Sequence, residues 1–159
     1  MRKLLVLVSM CLIAVVVHAD KYEVVRVIDG DTIVAIKNGE TVKIRLYAVD
    51  APEHRGKQPM WEDAKNMTSD LVLGKSVEIQ KHGVDMYQRV VGVVYMDNGT
   101  SLNEELLKRG LAVYAKDYCK DQDYCMKLEA AESDARNAGF GLWSLDSFIL
   151  PSTWRATTN

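Results

Sequence analysis

The segment from Val42 to Glu53 constrains the fold more than any other part of the chain. It reads V-K-I-R-L-Y-A-V-D-A-P-E, and its apolar residues recur at every second position up to residue 48. This period of two predicts a strand with one face on a core, and it places Arg45 on the outer face. Pro52 has no amide hydrogen to donate to a sheet, so we expect the strand to stop where Asp50 begins a short acidic stretch. Two carboxylates and a guanidinium therefore collect at one strand end.

The same pattern raises a geometric difficulty. Strict alternation places the side chains of Arg45 and Asp50 on opposite faces of the strand. A site that uses both residues therefore requires a bend or a β-bulge before Asp50. The nearby Pro52 is compatible with such a bend.

Turn signals divide the rest of the chain into short strands and helices. Besides the Val42 segment, strands are predicted at 22–28, 32–37, 77–80 and 90–95. Helices are predicted from Pro59 to the stop at Gly74, from the Ser101 capping box to Gly110, and from Asp121 to Gly139. Five short strands with interspersed helices predict a mainly β fold with α, namely a five-stranded closed barrel of the OB type with about three packed helices.

The N-terminal residues have the pattern of an export signal. Two basic residues precede the apolar run Leu4 to Val17, and positions 17–19 read V-H-A. We therefore expect residues 1–19 to be a signal peptide and residues 20–159 to form one domain. A retained anchor is the alternative, but the run is short for a membrane span. The sequence thus predicts an exported protein, periplasmic or secreted, with no stable membrane association after cleavage.

Charge and cysteine content bound the chemistry of the exported chain. Removing Arg2 and Lys3 leaves 18 basic residues against 22 acidic ones, a net charge near −4. A polyanionic partner must then be held by a local positive patch or by a bound metal. Cys119 and Cys125 are the only cysteines after residue 19. In an exported chain such a pair predicts a disulfide, and zinc ligation is the weaker alternative because no histidine lies nearby.

Three segments carry candidate chemistry. They read V-I-D-G-D-T at 27–32, I-R-L-Y-A-V-D-A-P-E at 44–53 and D-M-Y-Q-R at 85–89. Taken singly, each has an ordinary structural interpretation, because Asp and Gly form turns and an outward arginine is usually solvated. Together with R-G-L-A at 109–112 they resemble the staphylococcal nuclease (thermonuclease) family, in particular its exported bacterial members. The resemblance runs from Val25 to Ser144.

The resemblance implies an OB-fold barrel and calcium-dependent cleavage of DNA and RNA that leaves 3′-phosphate ends. It implies that Asp31 and Asp50 supply carboxylate oxygens to calcium and that Ala51, where the family usually has Thr, supplies a backbone carbonyl. Such an all-oxygen set suits calcium, which takes about 6 to 8 oxygen ligands. DNA and RNA are the implied partners, as substrates, and we expect a monomer.

The remaining roles follow from the same resemblance. Glu53 matches the carboxylate that orients or deprotonates the attacking water, and Arg45 and Arg89 match the pair that clamps the phosphate. Tyr87 matches a residue that contacts the nucleotide. Tyr114 and Tyr118 are candidate base-stacking residues, with an ordinary core or surface role as the equal alternative.

Two other functions remain open from the sequence. The chain could be a catalytically weak nucleic-acid-binding OB module. All five candidate carboxylates and arginines are present, which disfavours this alternative. It could also be an exported domain whose acids bind calcium only for stability. Digestion of DNA and RNA with calcium or with a chelator distinguishes the three functions.

Overall fold

Five strands close into a barrel in the computed structural model, which describes residues 21–158. They are β1 (Lys21–Asp29), β2 (Thr32–Lys37), β3 (Glu40–Leu46), β5 (Ser76–Val84) and β6 (Val90–Met96), and a separate two-stranded ribbon joins β4 (Val49–Asp50) to β7 (Val113–Tyr114). The barrel order is β1-β2-β3-β6-β5, with β5 pairing back onto β1. All its pairs are antiparallel except β3 with β6. The predicted five-stranded OB-type barrel is confirmed, while the predicted signal peptide lies outside the described residues.

Alternating side chains fill the inside of the barrel. Val24, Ile33, Ile44 and Val94 are fully buried, and each comes from a different strand. Burying an aliphatic side chain of this size contributes about 1.5–3 kcal/mol, so these positions hold the strands in register. Within residues 21–158, no helix has the length and apolar character needed to cross a bilayer.

Within residues 21–158, four α-helices pack outside the barrel, one more than predicted. They are α1 (Trp61–Val72), α2 (Leu102–Lys108), α3 (Gln122–Ala138) and α4 (Pro151–Thr157). The predicted caps of α2 and α3 are present: the Ser101 hydroxyl accepts from the amide of Glu104, and the Asp121 carboxylate accepts from the amide of Tyr124. The unpredicted α4 has only seven residues, too few to show a periodic apolar stripe.

The strand that contains Arg45 ends earlier than predicted. β3 stops at Leu46, Ala48 adopts a left-handed backbone with φ of 55°, and Asp50 belongs to β4. The expectation that one strand runs to Asp50 was therefore wrong. The break supplies the bend that a shared site for Arg45 and Asp50 requires.

A disulfide closes the loop that precedes α3. Cys119 and Cys125 are joined, as predicted. The backbone amides of Lys120 and Asp121 both donate to the hydroxyl of Tyr47, which lies in the bend between β3 and β4. The disulfide loop is therefore held against the same part of the barrel that carries the candidate site.

Candidate active site

The turn between β1 and β2 presents Asp31 beside β3. The amide of Leu46 donates to the carbonyl of Asp31 at 2.8 Å, and Thr32 pairs with Arg45 in the β2–β3 register. The turn is held from the other side by the Thr68 hydroxyl of α1, which donates to the carbonyl of Gly30 at 2.6 Å.

Glycine at position 30 allows this turn to approach its neighbours closely. A Cβ atom there would lie 2.7 Å from the Cβ of Ala51 and 2.8 Å from the Cβ of Ala64. Both distances are too short for carbon atoms, so a larger residue would push the turn away. The close approach is what brings Asp31 next to the segment that contains Asp50 and Ala51.

Arg45 bridges the carboxylates of Asp31 and Asp50. Its guanidinium forms an ion pair with Asp31, and its Nη2 donates to Asp50 Oδ1 at 2.7 Å and to the carbonyl of Val49 at 3.2 Å. Asp31 Oδ2 in turn accepts from the amide of Ala51 at 2.6 Å. Arg45 is therefore not a solvated side chain on an outer face, because acids from two other elements cover it.

Burial and charge oppose each other in this group. Asp31 and Asp50 are only 2% and 6% exposed. Burial lowers the pKa of Arg45, whereas the neighbouring Asp50 raises it. Burial raises the pKa of Asp29, whereas the positive charge of Arg45 lowers it. Burying such charges is costly unless they are paired with groups of opposite charge.

Glu53 is linked to Asp50 by Arg155, which was not among the predicted site residues. Arg155 of α4 donates to Oδ1 of Asp50 at 2.8 Å, to Oδ2 of Asp50 at 3.0 Å and to Oε1 of Glu53 at 2.5 Å. Its hydrogen bonds with Asp50 are the main reason that its pKa is raised. We refer to Asp31, Asp50, Glu53, Arg45 and Arg155 as the acid cluster.

One sequence signal for α4 was available. Pro151 is a favoured residue at the first position of a helix and could have indicated one there. That signal would still not have placed Arg155 in the site, because its partner Asp50 lies 105 residues away in the chain.

Arg89 lies on a different element, the hairpin tip formed by residues 85–89 between β5 and β6. Its Nε donates to Asp85 Oδ2 at 2.6 Å, and Asp85 Oδ1 accepts from the amides of Tyr87 and Arg89. Among the described residues, no hydrogen bond or ion pair joins Arg89 to Asp31, Asp50 or Glu53. Its charge nevertheless lowers the pKa of both Asp29 and Arg45, so the tip lies within electrostatic reach of the acid cluster.

The three candidate tyrosines occupy different positions around the site. Tyr87 is 71% exposed on the hairpin tip, and its ring centroid lies 5.4 Å from the Arg89 guanidinium carbon. Tyr114 is half-buried on β7. It pairs with Val49 of β4, and the preceding residue, Val113, pairs with Asp50. Tyr118 is 74% exposed on the 3-10 turn Lys116–Tyr118. Tyr87 lines a groove together with Glu53 and Arg155, and Tyr114 pairs with the residue that precedes Asp50.

A groove of about 500 Å³ runs beside Glu53 between the hairpin tip and α4. Its lining residues are Glu53, Arg55, Tyr87, Ser152, Arg155, Ala156 and Thr158. The groove joins a candidate catalytic acid, an exposed aromatic ring and basic side chains. This combination suits an extended polyanion with stacking groups better than a small apolar ligand.

The oxygen atoms of the cluster fit a hard divalent cation. Carboxylates from Asp31 and Asp50 with a backbone carbonyl at Ala51 are the donor types that calcium takes. As they stand, no three His, Cys, Asp or Glu side chains within residues 21–158 form a group that could hold a metal ion. The acids are instead paired with arginines: Arg45 bridges Asp31 to Asp50, and Arg155 bridges Asp50 to Glu53.

Comparison with known proteins identifies the family of this chain. Residues 43–145 match the family model described as staphylococcal nuclease homologue. An uncharacterized endonuclease of Haemophilus influenzae is 38% identical over 97% of this chain and 85% of its own length. A micrococcal nuclease of Shigella flexneri is 33% identical over 84% of this chain and 79% of its own. A thermonuclease of Staphylococcus hyicus is 33% identical over 77% and 75%. The chain therefore belongs to the staphylococcal nuclease family of endonucleases.

Proposed function

We propose that this protein is a calcium-dependent endonuclease that hydrolyses phosphodiester bonds of DNA and RNA and leaves 3′-phosphate ends. One observation carries the proposal: Arg45 bridges Asp31 and Asp50 while Ala51 donates to Asp31, so three separate segments converge at one point. The micrococcal nuclease and thermonuclease among the relatives support the same activity. Burying this many charges together is costly, which favours a functional reason for the arrangement.

Each residue of the site has a role in this proposal. Asp31, Asp50 and the Ala51 carbonyl would hold calcium, which when bound supplies positive charge that polarises water and a phosphate oxygen. Glu53, with its side chain 24% exposed, accepts a proton from the attacking water. Arg45 and Arg89 donate to the phosphate oxygens, whose negative charge increases as the fifth bond to phosphorus forms. The bond from phosphorus to the 5′ oxygen then breaks, which leaves the phosphate on the 3′ side, and the 5′ oxygen takes a proton from water.

The aromatic residues would bind the substrate on either side of the scissile phosphate. Tyr87 on the hairpin tip and Tyr118 on the 3-10 turn are exposed enough to stack on bases. Tyr114 is half-buried and offers one edge of its ring beside β4. Stacking of this kind is tolerant of sequence, which suits an enzyme that degrades both DNA and RNA.

We also propose that the protein acts outside the cytoplasm, in the periplasm or as a secreted enzyme. The Cys119–Cys125 disulfide supports this location, since such bonds persist in oxidising compartments. The basic and apolar pattern of residues 1–19 is the second support. Determining the N-terminal residue of the protein recovered from outside the cytoplasm tests cleavage after Ala19.

The decisive experiment is digestion of plasmid DNA and of RNA with calcium or with a chelator. The proposal expects calcium-dependent degradation and oligonucleotide products whose masses include a 3′-phosphate. An Asp50→Asn variant should lose activity, whereas Asp97→Asn, which removes an exposed carboxylate remote from the cluster, should not. Binding without cleavage would instead support a nucleic-acid-binding module. A calcium-dependent rise in melting temperature alone would support a structural calcium domain.

A further inference from the structure

We propose that Arg155 sets the cation affinity of the acid cluster by occupying carboxylate oxygens that a divalent cation needs. This inference rests on the proposed function, because it assumes that Asp50 is a cation ligand. It assigns a role to α4, an element outside residues 43–145 that match the family model.

The contacts of Asp50 carry the first step. Oδ1 accepts from both Arg45 and Arg155, and Oδ2 accepts from Arg155. Arg155 also donates to Glu53, so one guanidinium engages two of the acids proposed for catalysis. A cation that binds Asp50 must therefore displace at least one of these hydrogen bonds or share an oxygen with a positive group. Displacement loses a hydrogen bond between opposite charges. Sharing an oxygen brings two positive charges close together, where they repel strongly.

The docking of α4 carries the second step, because it shows that the guanidinium is delivered by a defined structure. The fully buried Gln58 accepts from the amide of Glu53 and donates to the carbonyl of Ile149 at 2.6 Å. Trp154 donates through Nε1 to the carbonyl of Arg55 at 2.8 Å. α4 is thus fixed to the loop that carries Glu53, which places Arg155 beside the acids.

The difference in exposure between the two arginines carries the third step. The side chain of Arg45 is 18% exposed, whereas that of Arg155 is 44% exposed and lines the open groove. Arg155 can therefore turn into water or toward a phosphate group when a cation arrives, while its aliphatic part remains on α4. Arg155 is therefore the more readily displaced counter-ion of the cluster.

Isothermal titration calorimetry with calcium, without nucleic acid, tests the proposal. Arg155→Gln should bind calcium roughly 3- to 10-fold more tightly than the wild type, because it removes a competitor for Asp50. Arg155→Lys keeps the charge but not the two-pronged contact, so its affinity should lie between these values. The matched control is Arg136→Gln, which breaks an ion pair with Glu132 on α3 and should leave calcium affinity unchanged.

Thermal unfolding supplies a second measurement. Without calcium, Arg155→Gln should melt at a lower temperature than the wild type, since Asp50 and Glu53 lose a counter-ion. Saturating calcium should then raise its melting temperature by more than that of the wild type. A residue with a merely structural role would lower the melting temperature without tightening calcium binding.

The outcomes separate the two proposals. Unchanged or weaker calcium affinity in Arg155→Gln, with the wild-type enzyme cleaving DNA in calcium, overturns the role of Arg155 alone. Tighter calcium binding in the variant, with no cleavage by either protein, supports that role and rejects the nuclease. Failure of both proteins to bind calcium overturns both proposals.

Discussion

The acid cluster and the hairpin tip each hold one of the two arginines proposed to contact the phosphate, but they hold them differently. Arg45 contacts Asp31 and Asp50, which belong to other elements and are almost fully buried. Arg89 contacts Asp85, four residues away on the same turn, and both side chains are about one-fifth exposed. The first arginine joins parts of the barrel, whereas the second organises only its own hairpin.

The same proposed role at the phosphate therefore need not mean the same structural role. Removing a partner from a buried ion pair leaves an uncompensated charge in the interior, which is strongly destabilising. Removing one from a partly exposed pair costs little, because water replaces the lost contact. The two arginines should therefore be distinguishable by measuring stability and turnover on the same variants.

Arg45→Ala should produce the largest effect. We expect turnover to fall by on the order of 10²-fold or more, because a donor to the transition state is lost. We also expect the free energy of unfolding to fall by about 3–5 kcal/mol, because Asp31 loses its ion-pair partner in the interior. Urea unfolding and initial rates of DNA hydrolysis measure the two effects. Wild-type stability in this variant would contradict the view that Arg45 joins the barrel segments.

Arg89→Ala should match that loss of turnover without the loss of stability. The expected decrease in turnover is again on the order of 10²-fold, whereas the free energy of unfolding should change by less than about 1 kcal/mol. The same two measurements apply, with Arg136→Ala on α3 as a control that breaks another partly exposed ion pair. Turnover near the wild-type value would remove Arg89 from the catalytic assignment.

Features that depend on residues close together in the chain could be predicted from the sequence. The caps at Ser101 and Asp121 depend on residues within a few positions of one another, so local patterns indicated them. The barrel followed from alternation and turns, since each strand has a neighbour linked by a short connection. The resemblance to a known family supplied the candidate residues of the site, but not their contacts.

The contacts of the acid cluster could not be predicted because they join distant segments. The amide of Ala51 reaches Asp31 across 20 residues, and Arg155 reaches Asp50 across 105. No periodicity encodes such pairings; they depend on the left-handed bend at Ala48 and on the docking of α4 by Gln58. The early strand end was missed because the alternation of apolar residues continues to Ala48, and the fourth helix was missed because its seven residues carry no apolar period.

Asp85→Asn should lower turnover less than Arg89→Ala, and it tests how the hairpin tip positions Arg89. Asparagine retains an oxygen that can accept from the amides of Tyr87 and Arg89, but it lacks the charge that attracts the Arg89 side chain. The turn should therefore persist while Arg89 becomes less well positioned, and turnover should fall by about 3- to 10-fold. Initial rates at several substrate concentrations measure this, and Asp97→Asn serves as the matched control. A loss as large as that of Arg89→Ala would show that Asp85 does more than position the arginine.

A stacked pair links the two regions. His82 of β5 lies face to face with Tyr47, with ring centroids 3.8 Å apart and planes 9° from parallel. Tyr47 belongs to the bend that leads to Asp50, and β5 leads to the hairpin tip. Burial lowers the pKa of His82, although Asp121 partly opposes this effect. The neutral ring is therefore favoured in the folded protein.

The pH dependence of this pair should be the smallest of the four effects. Because the folded pKa lies below the unfolded value of about 6.5, the unfolded chain binds the proton more readily. The stabilising contribution is thus complete above pH ~6.5 and declines as pH falls from there toward the folded pKa. Thermal unfolding between pH 7.5 and 5.5 should show a shallow decrease in melting temperature that His82→Phe, which keeps an aromatic ring against Tyr47, removes. His54→Gln should leave the decrease intact. A decrease that survives in His82→Phe would mean that another group titrates, and that the stack joins the two regions without making their stability depend on pH.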